Sequence, residues 1–199
     1  MLKNNYKTAL VTGASSGIGE ETVKLLVKNN IKVYAVARRK NKLIKLEKTT
    51  GCIPIVMDIR DRKALEKLRK LKIDILINNT QGPKAGDVES VSLDDYQKSF
   101  DLLFKSVVLT TNLCLDHMKK NKWGRIINMS SVSVKEPLNY LALSNTIRSA
   151  LTSWSKTLAN QVGIYNITAN NILTGYFDTE RISDLNSEKA KKMNIKIDD

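Results

Sequence analysis

Short apolar runs alternate along this chain with longer segments in which apolar residues recur every three or four positions. Short β-branched runs are typical of strands, and longer segments with helical periodicity are typical of amphipathic helices. The pattern predicts strands at residues 8–11, 31–37, 53–57, 73–77, 125–130 and 167–173. It predicts helices at residues 20–27, 41–49, 61–72, 92–122 and 138–162. Ser92 and Asp94 are alternative N-caps of the fourth helix.

Strands that alternate with helices predict an α/β fold, a doubly wound parallel sheet of the Rossmann type with helices on both faces. The length of 199 residues suits one domain. The pattern decays near residue 180, so we predict a dinucleotide-binding domain at 1–180 and a polar carboxyl-terminal tail at 181–199. A short polar helix at 187–192 is the one element expected in that tail.

A glycine-rich sequence, Thr-Gly-Ala-Ser-Ser-Gly-Ile-Gly at residues 12–19, joins the first predicted strand to the first helix. Gly13 permits a tight turn that residues with a Cβ resist. Gly17 and Gly19 let a pyrophosphate approach the backbone and let the helix pack closely against the strand. The free N–H groups and positive dipole end of the helix then bind phosphate. The predicted phosphate-binding residues are Gly13, Ser15, Ser16, Gly17, Ile18 and Gly19.

Arg38 and Arg39 follow the second predicted strand, where a dinucleotide fold binds the 2′ position of the adenosine ribose. An acidic residue there binds the 2′-hydroxyl of NAD, whereas a basic residue accommodates the 2′-phosphate of NADP. Ala37 cannot accept a hydrogen bond, and an arginine forks well onto a phosphate. The sequence therefore predicts NADP(H) over NAD(H). The alternative is that both arginines are merely solvated.

The chain carries 33 basic and 20 acidic residues, a formal net charge of +13. No basic stripe interleaved with aromatics accompanies this charge, so nucleic acid is not expected and general attraction to anions is the simpler interpretation. Cys52 and Cys114 have neither metal-ligand nor redox spacing. Since membrane-spanning runs and a signal-peptide core are not found either, we expect a cytoplasmic protein without a metal site.

Four features at predicted strand ends resemble the short-chain dehydrogenase/reductase family along nearly the whole chain. They are the glycine-rich turn, Asp58-Ile59 after the third strand, Asn78-Asn79 after the fourth, and residues 171–175 with Thr179 after the sixth. The resemblance implies that Asp58, with Ile59 beside it, contacts the adenine of the cofactor. It implies that Asn79 lies by the nicotinamide ribose and that the segment from Gly175 to Thr179 lies by the carboxamide.

Family members labelled 3-oxoacyl-carrier-protein reductase or general oxidoreductase are the most similar. The resemblance implies an oxidoreductase acting on a carbonyl or hydroxyl compound, with a 3-oxoacyl thioester as candidate substrate and an acidic carrier protein as candidate partner. It also implies a homo-oligomer assembled through the long helices. Lys119, Lys120, Lys122 and Arg125 cluster at the end of the fourth predicted helix. They either dock such a carrier or simply complement the helix dipole.

The catalytic residues of that family do not all carry over. Members usually have an Asn-Ser-Tyr-Lys tetrad, and Ser131 matches the serine. In the Tyr-x-x-x-Lys stretch, Leu141 stands for the tyrosine and Asn145 for the lysine, and the asparagine position falls on Leu103. Ser131 is therefore the one catalytic residue that the resemblance assigns directly.

The loss of the tyrosine and the lysine matters because carbonyl reduction needs a proton for the developing alkoxide as well as a hydride. A phenol with an ordinary pKa of ~10 becomes a usable acid when a nearby ammonium lowers that pKa. Losing general acid catalysis costs on the order of 10²–10⁴ in rate. Tyr140 and Lys135 are nearby substitutes, but one helical step rotates a side chain by roughly 100°. We expect Tyr140 to be a packing residue and Lys135 to be solvated.

Two functions remain open from the sequence. One is an NADP(H)-dependent oxidoreductase in which Ser131 binds the carbonyl oxygen. The other is a catalytically impaired NADP(H)-binding protein, or a non-catalytic subunit of an oligomer. Family members continue past the sixth strand with a substrate-covering segment, a helix and a seventh strand, which we expect to be mostly absent here, leaving an exposed strand edge. The single histidine, His117, is expected to be a surface or half-buried residue.

Overall fold

The computed structural model describes residues 7–179 together with Ile182, Ser183 and Ser187. Six parallel strands form one sheet in the order β3-β2-β1-β4-β5-β6. This is the doubly wound α/β sheet predicted from the sequence, with the strand order of a Rossmann fold. The predicted polar tail lies outside the described residues except for those three positions.

Each predicted strand is present, and its ends lie within two residues of the prediction. The strands are β1 Thr8–Thr12, β2 Lys32–Ala37, β3 Ile53–Val56, β4 Ile75–Asn78, β5 Gly124–Ser131 and β6 Ile167–Thr174. The helices are α1 Gly17–Lys28, α2 Lys40–Thr50, α3 Arg62–Glu66, α4 Leu93–Phe100, α5 Ser106–Lys120 and α6 Ala142–Val162. Short 3₁₀ turns follow α3, β5 and α6 at Lys67–Lys70, Val132–Val134 and Gly163–Tyr165.

The helix predicted within residues 92–122 is present, helical from Leu93 to Lys120, but its middle is not α-helical. A π-helical turn at Asp101–Lys105 separates α4 from α5. Apolar periodicity cannot reveal such a turn, because it inserts an extra residue without changing the polarity of its neighbours. At the start of α4, Ser92 rather than Asp94 is the cap: its hydroxyl accepts from the Asp95 N–H at 3.2 Å, and the Asp95 carboxylate accepts from the Ser92 N–H at 3.0 Å.

The predicted helix at residues 138–162 begins four residues late, at Ala142. The backbone before it forms a turn, in which the Leu141 N–H donates to the Leu138 carbonyl at 2.9 Å, and Leu141 forms a bridge to Gly86 in the loop that precedes α4. The Gly86 N–H donates to the Tyr140 carbonyl at 2.8 Å, and the Ala142 N–H donates to the Gly86 carbonyl at 3.0 Å. These tertiary hydrogen bonds stop the helix from extending toward its amino end, which sequence periodicity does not show.

Apolar side chains pack against both faces of the sheet. One cluster lies under α3, α5 and α6, and it includes Leu10, Leu65, Leu76, Met118, Ile126 and Leu158. The other lies under α1 and α2, and it includes Val11, Val23, Val33, Leu43 and Ile77. Helices that cover both faces are the usual requirement of an all-parallel sheet. The carboxyl ends of the strands therefore meet along one edge, where the predicted site residues follow them.

Among the described residues, no helix has the length and apolar character needed to traverse a bilayer.

Candidate functional site

The centre of the sheet defines where a ligand is expected. β1 lies between β2 and β4, and the chain adds its later strands on the β4 side. This is the topological switch point, and ligands of open α/β sheets bind beside it at the carboxyl ends of the strands. The glycine-rich turn follows β1 at this point, so local sequence and topology indicate the same site.

The glycine-rich turn disfavours side chains at all three of its glycines. Gly13 has φ +61° and Gly17 has φ +52°, both in the left-handed region that favours glycine. A Cβ on Gly13 would lie 2.5 Å from the Asn79 carbonyl oxygen, and a Cβ on Gly19 would collide with the Gly13 carbonyl. The turn therefore presents bare backbone, as close approach by a pyrophosphate requires.

The amino end of α1 lies next in the turn. The helix begins at Gly17 with Ile18 in its first turn, and the Ser16 side chain forms no capping hydrogen bond to it. The first N–H groups of a helix have no intrahelical acceptor, and they bind anions readily. This arrangement fits the phosphate-binding role predicted for the turn.

Arg39 folds back onto the glycine-rich turn. Its Nε donates to the Ser15 Oγ at 3.0 Å, and its Nη2 donates to the Ser15 carbonyl at 3.3 Å and to the Ser16 hydroxyl. Arg38 points elsewhere, and its Nη2 donates to the Gln81 Oε1 at 2.8 Å. The two arginines that the sequence treats alike therefore have different surroundings, and only Arg39 is hydrogen-bonded to the turn.

The predicted adenine residues follow β3. The Asp58 carboxylate forms a forked ion pair with Arg60, at 2.6 Å between Oδ2 and Nη2. Hydrogen bonding to Arg60 holds the pKa of Asp58 below its ordinary value, against the opposing effect of partial burial. Ile59 is partly buried against the apolar cluster on the α5 face. The carboxylate thus stays ionised and already has one partner at the end of β3.

Asn79 and Thr179 both contact the glycine-rich turn. The Asn79 Nδ2 donates to the Gly13 carbonyl at 3.3 Å, and its backbone N–H donates to the Thr12 hydroxyl at 3.0 Å. The Thr179 methyl lies 3.1 Å from the place a Cβ on Gly17 would occupy. The segment that begins with exposed Gly175 after β6 therefore passes over the turn that follows β1.

Taken together, this chain's residues fit a dinucleotide. Gly13 and Gly19 leave space that a side chain would fill, α1 offers backbone N–H groups, and Arg39 supplies a positive charge beside Ser15. The geometry brings together the predicted residues of the turn, Arg39, Asn79 and Thr179. Asp58, which follows β3, instead forms an ion pair with Arg60.

Ser131 is the last residue of β5, two strands away from the glycine-rich turn. It is half-buried, and its Oγ accepts a hydrogen bond from the Ser133 N–H at 3.2 Å. Its register partner on β6 is Thr174, whose hydroxyl donates to the Ser130 carbonyl at 2.9 Å. The Ser133 hydroxyl is buried, with no hydrogen-bond partner in the described part of the chain.

The three positions that the resemblance aligns with the other tetrad residues carry no acidic side chain. Leu103 is 1% exposed and lies inside the π-helical turn between α4 and α5. Leu141 immediately precedes α6, and the Asn145 Nδ2 donates back to the Leu138 carbonyl at 2.8 Å. An aliphatic chain or a neutral amide cannot deliver a proton to an alkoxide.

Tyr140 is hydrogen-bonded to the segment that follows β6. Its hydroxyl lies 2.7 Å from that of Tyr176. Burial and then this hydrogen bond raise the pKa of Tyr140 to about 12. A higher pKa makes the phenol a weaker acid, which is the opposite of what a general acid needs. Lys135 is exposed in the loop before α6.

Sequence reasoning missed two residues on the buried face of α6, Ser144 and Arg148. The Arg148 Nε donates to the Ser144 Oγ at 3.2 Å, and its Nη1 donates to the Met129 carbonyl of β5 at 2.6 Å. A signal was present: both residues are in helical phase with buried Leu151 and Ser155. A charged residue in the apolar phase of a helix is unusual enough to mark a site.

The single histidine and the basic cluster lie at the opposite edge of the sheet. His117 is half-buried, as expected, and its Nε2 is 3.3 Å from the Asp74 Oδ1. Arg125 stacks on Trp123 at 4.5 Å near the start of β5. Strands rise by about 3.3 Å per residue, which places Arg125 roughly 20 Å from Ser131. The basic cluster is therefore not part of the candidate site.

The sheet order and the glycine-rich turn together define a dinucleotide-binding α/β protein. The sequence model described as short chain dehydrogenase matches residues 7–190, and the chain belongs to that family.

Individual relatives agree with this assignment. The chain is 28% identical to the probable short-chain type dehydrogenase/reductase VdlC of Helicobacter pylori, over 80% of this chain and 60% of that protein. It is 30% identical to a probable NADP-dependent dehydrogenase of Haemophilus influenzae, over 84% of this chain and 70% of that protein. In fold alone, the chain is similar to the structure of actinorhodin polyketide ketoreductase with NADPH, with a TM-score of 0.92 at 23% identity over 100% of this chain and 81% of that one. The chain thus spans less than two thirds of the Helicobacter relative.

Proposed function

We propose that this chain is an NADP(H)-dependent oxidoreductase that interconverts a carbonyl and a hydroxyl group on a small molecule. One observation carries the proposal: Arg39 is hydrogen-bonded to Ser15 and Ser16 of the glycine-rich turn. A guanidinium at the end of β2 is suited to the 2′-phosphate that distinguishes NADP from NAD. The relative from Haemophilus influenzae, named as NADP-dependent, supports the same preference.

Each part of the cofactor has candidate partners among the described residues. The glycine-rich turn and the start of α1 hold the pyrophosphate, and Arg39 with Ser15 holds the 2′-phosphate. Asp58 lies at the adenine end, and Asn79 and Thr179 lie toward the nicotinamide end. NADPH bound there supplies a hydride. Ser131 then binds the carbonyl oxygen of the substrate at the end of β5.

A 3-oxoacyl thioester is the first substrate class to test, on the strength of the resemblance to 3-oxoacyl-carrier-protein reductases. An acidic carrier protein is the matching partner. The basic cluster near Arg125 does not favour docking of the carrier there, because it lies at the opposite edge of the sheet from Ser131. A free thioester is therefore the better probe than a carrier-bound one.

The alternative is a catalytically impaired NADP(H)-binding protein, or a non-catalytic subunit of a homo-oligomer. The observation that favours it is the absence of an acid at Leu103, Leu141 and Asn145. Hydride transfer aided only by positioning and by Ser131 would be slow. Pairing with an active relative would then account for an intact cofactor site.

One experiment separates these functions. NADPH and NADH are titrated by fluorescence, and NADPH consumption is then followed with a panel of ketones and acetoacetyl thioesters. Tighter binding of NADPH than NADH, with turnover of a panel member, is the expected result. Tight NADPH binding without any turnover would select the binding-protein alternative. Preference for NADH would contradict the role given to Arg39.

A further inference from the structure

The amino-terminal edge of the sheet, opposite the candidate site, carries cations that rest on aromatic rings. The Lys7 Nζ lies 4.0 Å from the centre of the Trp123 ring, and the Arg125 guanidinium lies 4.5 Å from it. Lys7 precedes β1, whereas Trp123 and Arg125 flank the first residue of β5. The fold thus brings together basic and aromatic side chains that are dispersed along the sequence, which the sequence alone does not show.

Two further pairs repeat this contact on other strands. The Lys32 Nζ lies 5.4 Å from the centre of the Tyr34 ring, and both residues belong to β2. The Lys119 Nζ lies 5.6 Å from the centre of the Tyr165 ring, which precedes β6. Because neighbouring strands lie about 4.8 Å apart, the row of contacts from β2 across β1, β4 and β5 to β6 is roughly 19 Å long.

A cavity of about 300 Å³ opens in this row beside β1 and β2. Its lining contains three lysines, Lys32, Lys70 and Lys72, and no acidic residue. Ammonium groups around one cavity, without a carboxylate among them, attract an anion. We call the whole row the basic edge, and it consists of Lys7, Lys32, Lys70, Lys72, Lys119 and Arg125 with Tyr34, Trp123 and Tyr165.

The positive charge of the basic edge is not cancelled within the described part of the chain. None of its lysines forms an ion pair there. The Arg125 Nη1 donates to neutral acceptors, the Gly124 carbonyl at 2.7 Å and the Asn166 carbonyl at 3.0 Å. Asp74 lies at the same edge, but it is buried and its carboxylate accepts from the Thr8 N–H at 2.9 Å. Since an aromatic ring attracts a cation without neutralising it, the basic edge keeps a positive potential.

Helix dipoles do not account for the basic edge. A cation in the last turn of a helix complements its negative end, which explains Lys119 on α5. Lys7, Lys32 and Lys72 instead lie at or before the first residues of strands. A row of cations at strand starts therefore calls for an anionic partner outside the chain.

The arrangement of the basic edge favours a strand of nucleic acid over other polyanions. A single strand carries phosphates at regular intervals, and proteins bind it with basic grooves and aromatic side chains on which bases stack. Tyr34, Trp123 and Tyr165 are all half-buried, so part of each ring faces solvent. An acidic protein would need the cations but not the rings, and an anionic bilayer attracts any polybasic segment without requiring a row.

We propose that the basic edge binds single-stranded nucleic acid, with the three cavity lysines holding phosphates and the aromatic rings contacting bases. The net charge of +13 draws a polyanion to the chain, and the basic edge gives it one place to bind. Phosphate contacts carry no sequence information, so base sequence matters little. The inference goes beyond the proposed function and does not rest on it, because the glycine-rich turn lies at the other edge of the sheet.

The first test compares two variants that remove the same charge. The test variant replaces the cavity lysines, Lys32→Gln, Lys70→Gln and Lys72→Gln. The control variant replaces exposed lysines on α2, α3 and α4, Lys45→Gln, Lys63→Gln and Lys98→Gln. Anisotropy of a fluorescein-labelled oligouridylate measures binding, and thermal unfolding confirms that both variants are folded.

The two variants should differ strongly in affinity. The loss of three phosphate contacts should weaken binding about 100-fold at about 0.1 M salt and lower the slope of log K against log salt by about 2. The control variant should bind within about threefold of the parent protein. Equal losses in both variants would reduce the effect to general attraction by the net charge, and would overturn the proposal.

The second test uses Trp123 as a reporter. Trp154→Phe leaves Trp123 as the one tryptophan of the chain. We expect oligouridylate to change its emission, and we expect the response to be lost when the cavity lysines are also replaced. Unchanged emission at a saturating oligouridylate concentration would place the strand elsewhere and overturn the proposal.

The third test uses competitors of the labelled oligouridylate. Polyglutamate and phosphatidylserine vesicles of matched charge should compete at least about tenfold less well than unlabelled oligouridylate, because they have no bases to stack. Equal competition by either would overturn the assignment, in favour of an acidic protein or a membrane. Saturating NADPH should not displace the strand, and displacement would move the strand to the cofactor site and overturn the proposal. Failure to bind NADPH would contradict the proposed function and not this inference, which the lysine variants still decide.

Discussion

The two halves of the candidate site depend on different kinds of atoms. In the half formed by β1, α1 and β2, backbone N–H groups and the bare glycines of the turn carry the function. In the half formed by β5 and α6, side chains such as that of Ser131 are proposed to carry it. Only glycine allows the backbone geometry of the first half, whereas several residue types can hold a proton in the second. Cofactor binding is thus tied to fixed sequence positions more strictly than proton delivery is.

The largest effect that would test this contrast is expected from Gly19→Ala. The new Cβ would collide with the Gly13 carbonyl and approach the Asn79 Nδ2, so the turn must open. We expect the Kd for NADPH to rise by about 100-fold or more, equivalent to ~2.7 kcal/mol. Gly163→Ala is the control, since nothing lies within 4 Å of its Cβ position. Fluorescence titration measures both variants, and unchanged binding by Gly19→Ala would show that the bare backbone is not required.

A smaller loss is expected from Arg39→Ala. Hydrogen bonds to charged groups contribute about 1.5–3 kcal/mol, so NADPH affinity should fall by about 10- to 150-fold. NADH affinity should change little, because NADH has no 2′-phosphate. Arg38→Ala is the matched comparison, and its effect should be smaller because that guanidinium is directed to Gln81. Equal losses for both arginines, or equal losses for both cofactors, would contradict the distinction drawn between them.

In the other half of the site, Tyr140→Phe should change turnover less than twofold. The phenol is hydrogen-bonded to Tyr176, and its pKa is raised to about 12, so it is neutral and a poor acid near pH 7. A tenfold loss of kcat would contradict this prediction and make Tyr140 the acid.

Alkaline unfolding gives the same residue a second test. A phenol whose pKa is higher in the folded state stabilises that state below pH ~10, and the contribution is lost as the pH rises toward 12. The parent protein should therefore lose more stability than Tyr140→Phe between these pH values, as thermal unfolding would show. If both proteins lost the same stability over this pH range, the raised pKa of Tyr140 would be contradicted.

A small effect on stability is expected from Arg60→Ala at the adenine end. Its ion pair with Asp58 is 2.6 Å long, but the two side chains are 44% and 31% exposed, and solvent screens such pairs. We expect the free energy of unfolding at pH 7 to fall by less than ~1 kcal/mol. Because the pKa of Asp58 is lowered by folding, this contribution should fade as the pH falls below ~3.9. Urea unfolding at pH 7 and pH 3 measures it, and an equal loss at both would exclude the ion pair as its source.

Local sequence predicted the fold and the first half of the site well. The turn after β1 needs glycines at fixed positions, and their spacing is visible without any tertiary information. The strands were also predicted, since a parallel sheet covered on both faces requires continuous apolar runs. The π-helical turn at Asp101–Lys105 was missed because it changes the hydrogen-bonding pattern and not the polarity of the residues.

The second half of the site was harder to predict because it depends on tertiary contacts. Arg38 and Arg39 are neighbours with the same chemistry, and only the fold shows that one reaches Ser15 and the other Gln81. Arg148 lies outside the positions at which the resemblance places the tetrad, so the family pattern alone does not single it out. Its place in the apolar phase of α6 was nevertheless visible in the sequence.

The contact of Thr179 with Gly17 has a consequence for how the site is made during synthesis. Because Gly17 precedes Thr179 by most of the described chain, the turn emerges from the ribosome well before the threonine beside it. Amino-terminal segments can begin to fold during synthesis, but contacts between distant residues must wait for both partners. A nascent chain could therefore form the phosphate turn early and still lack the threonine that flanks it.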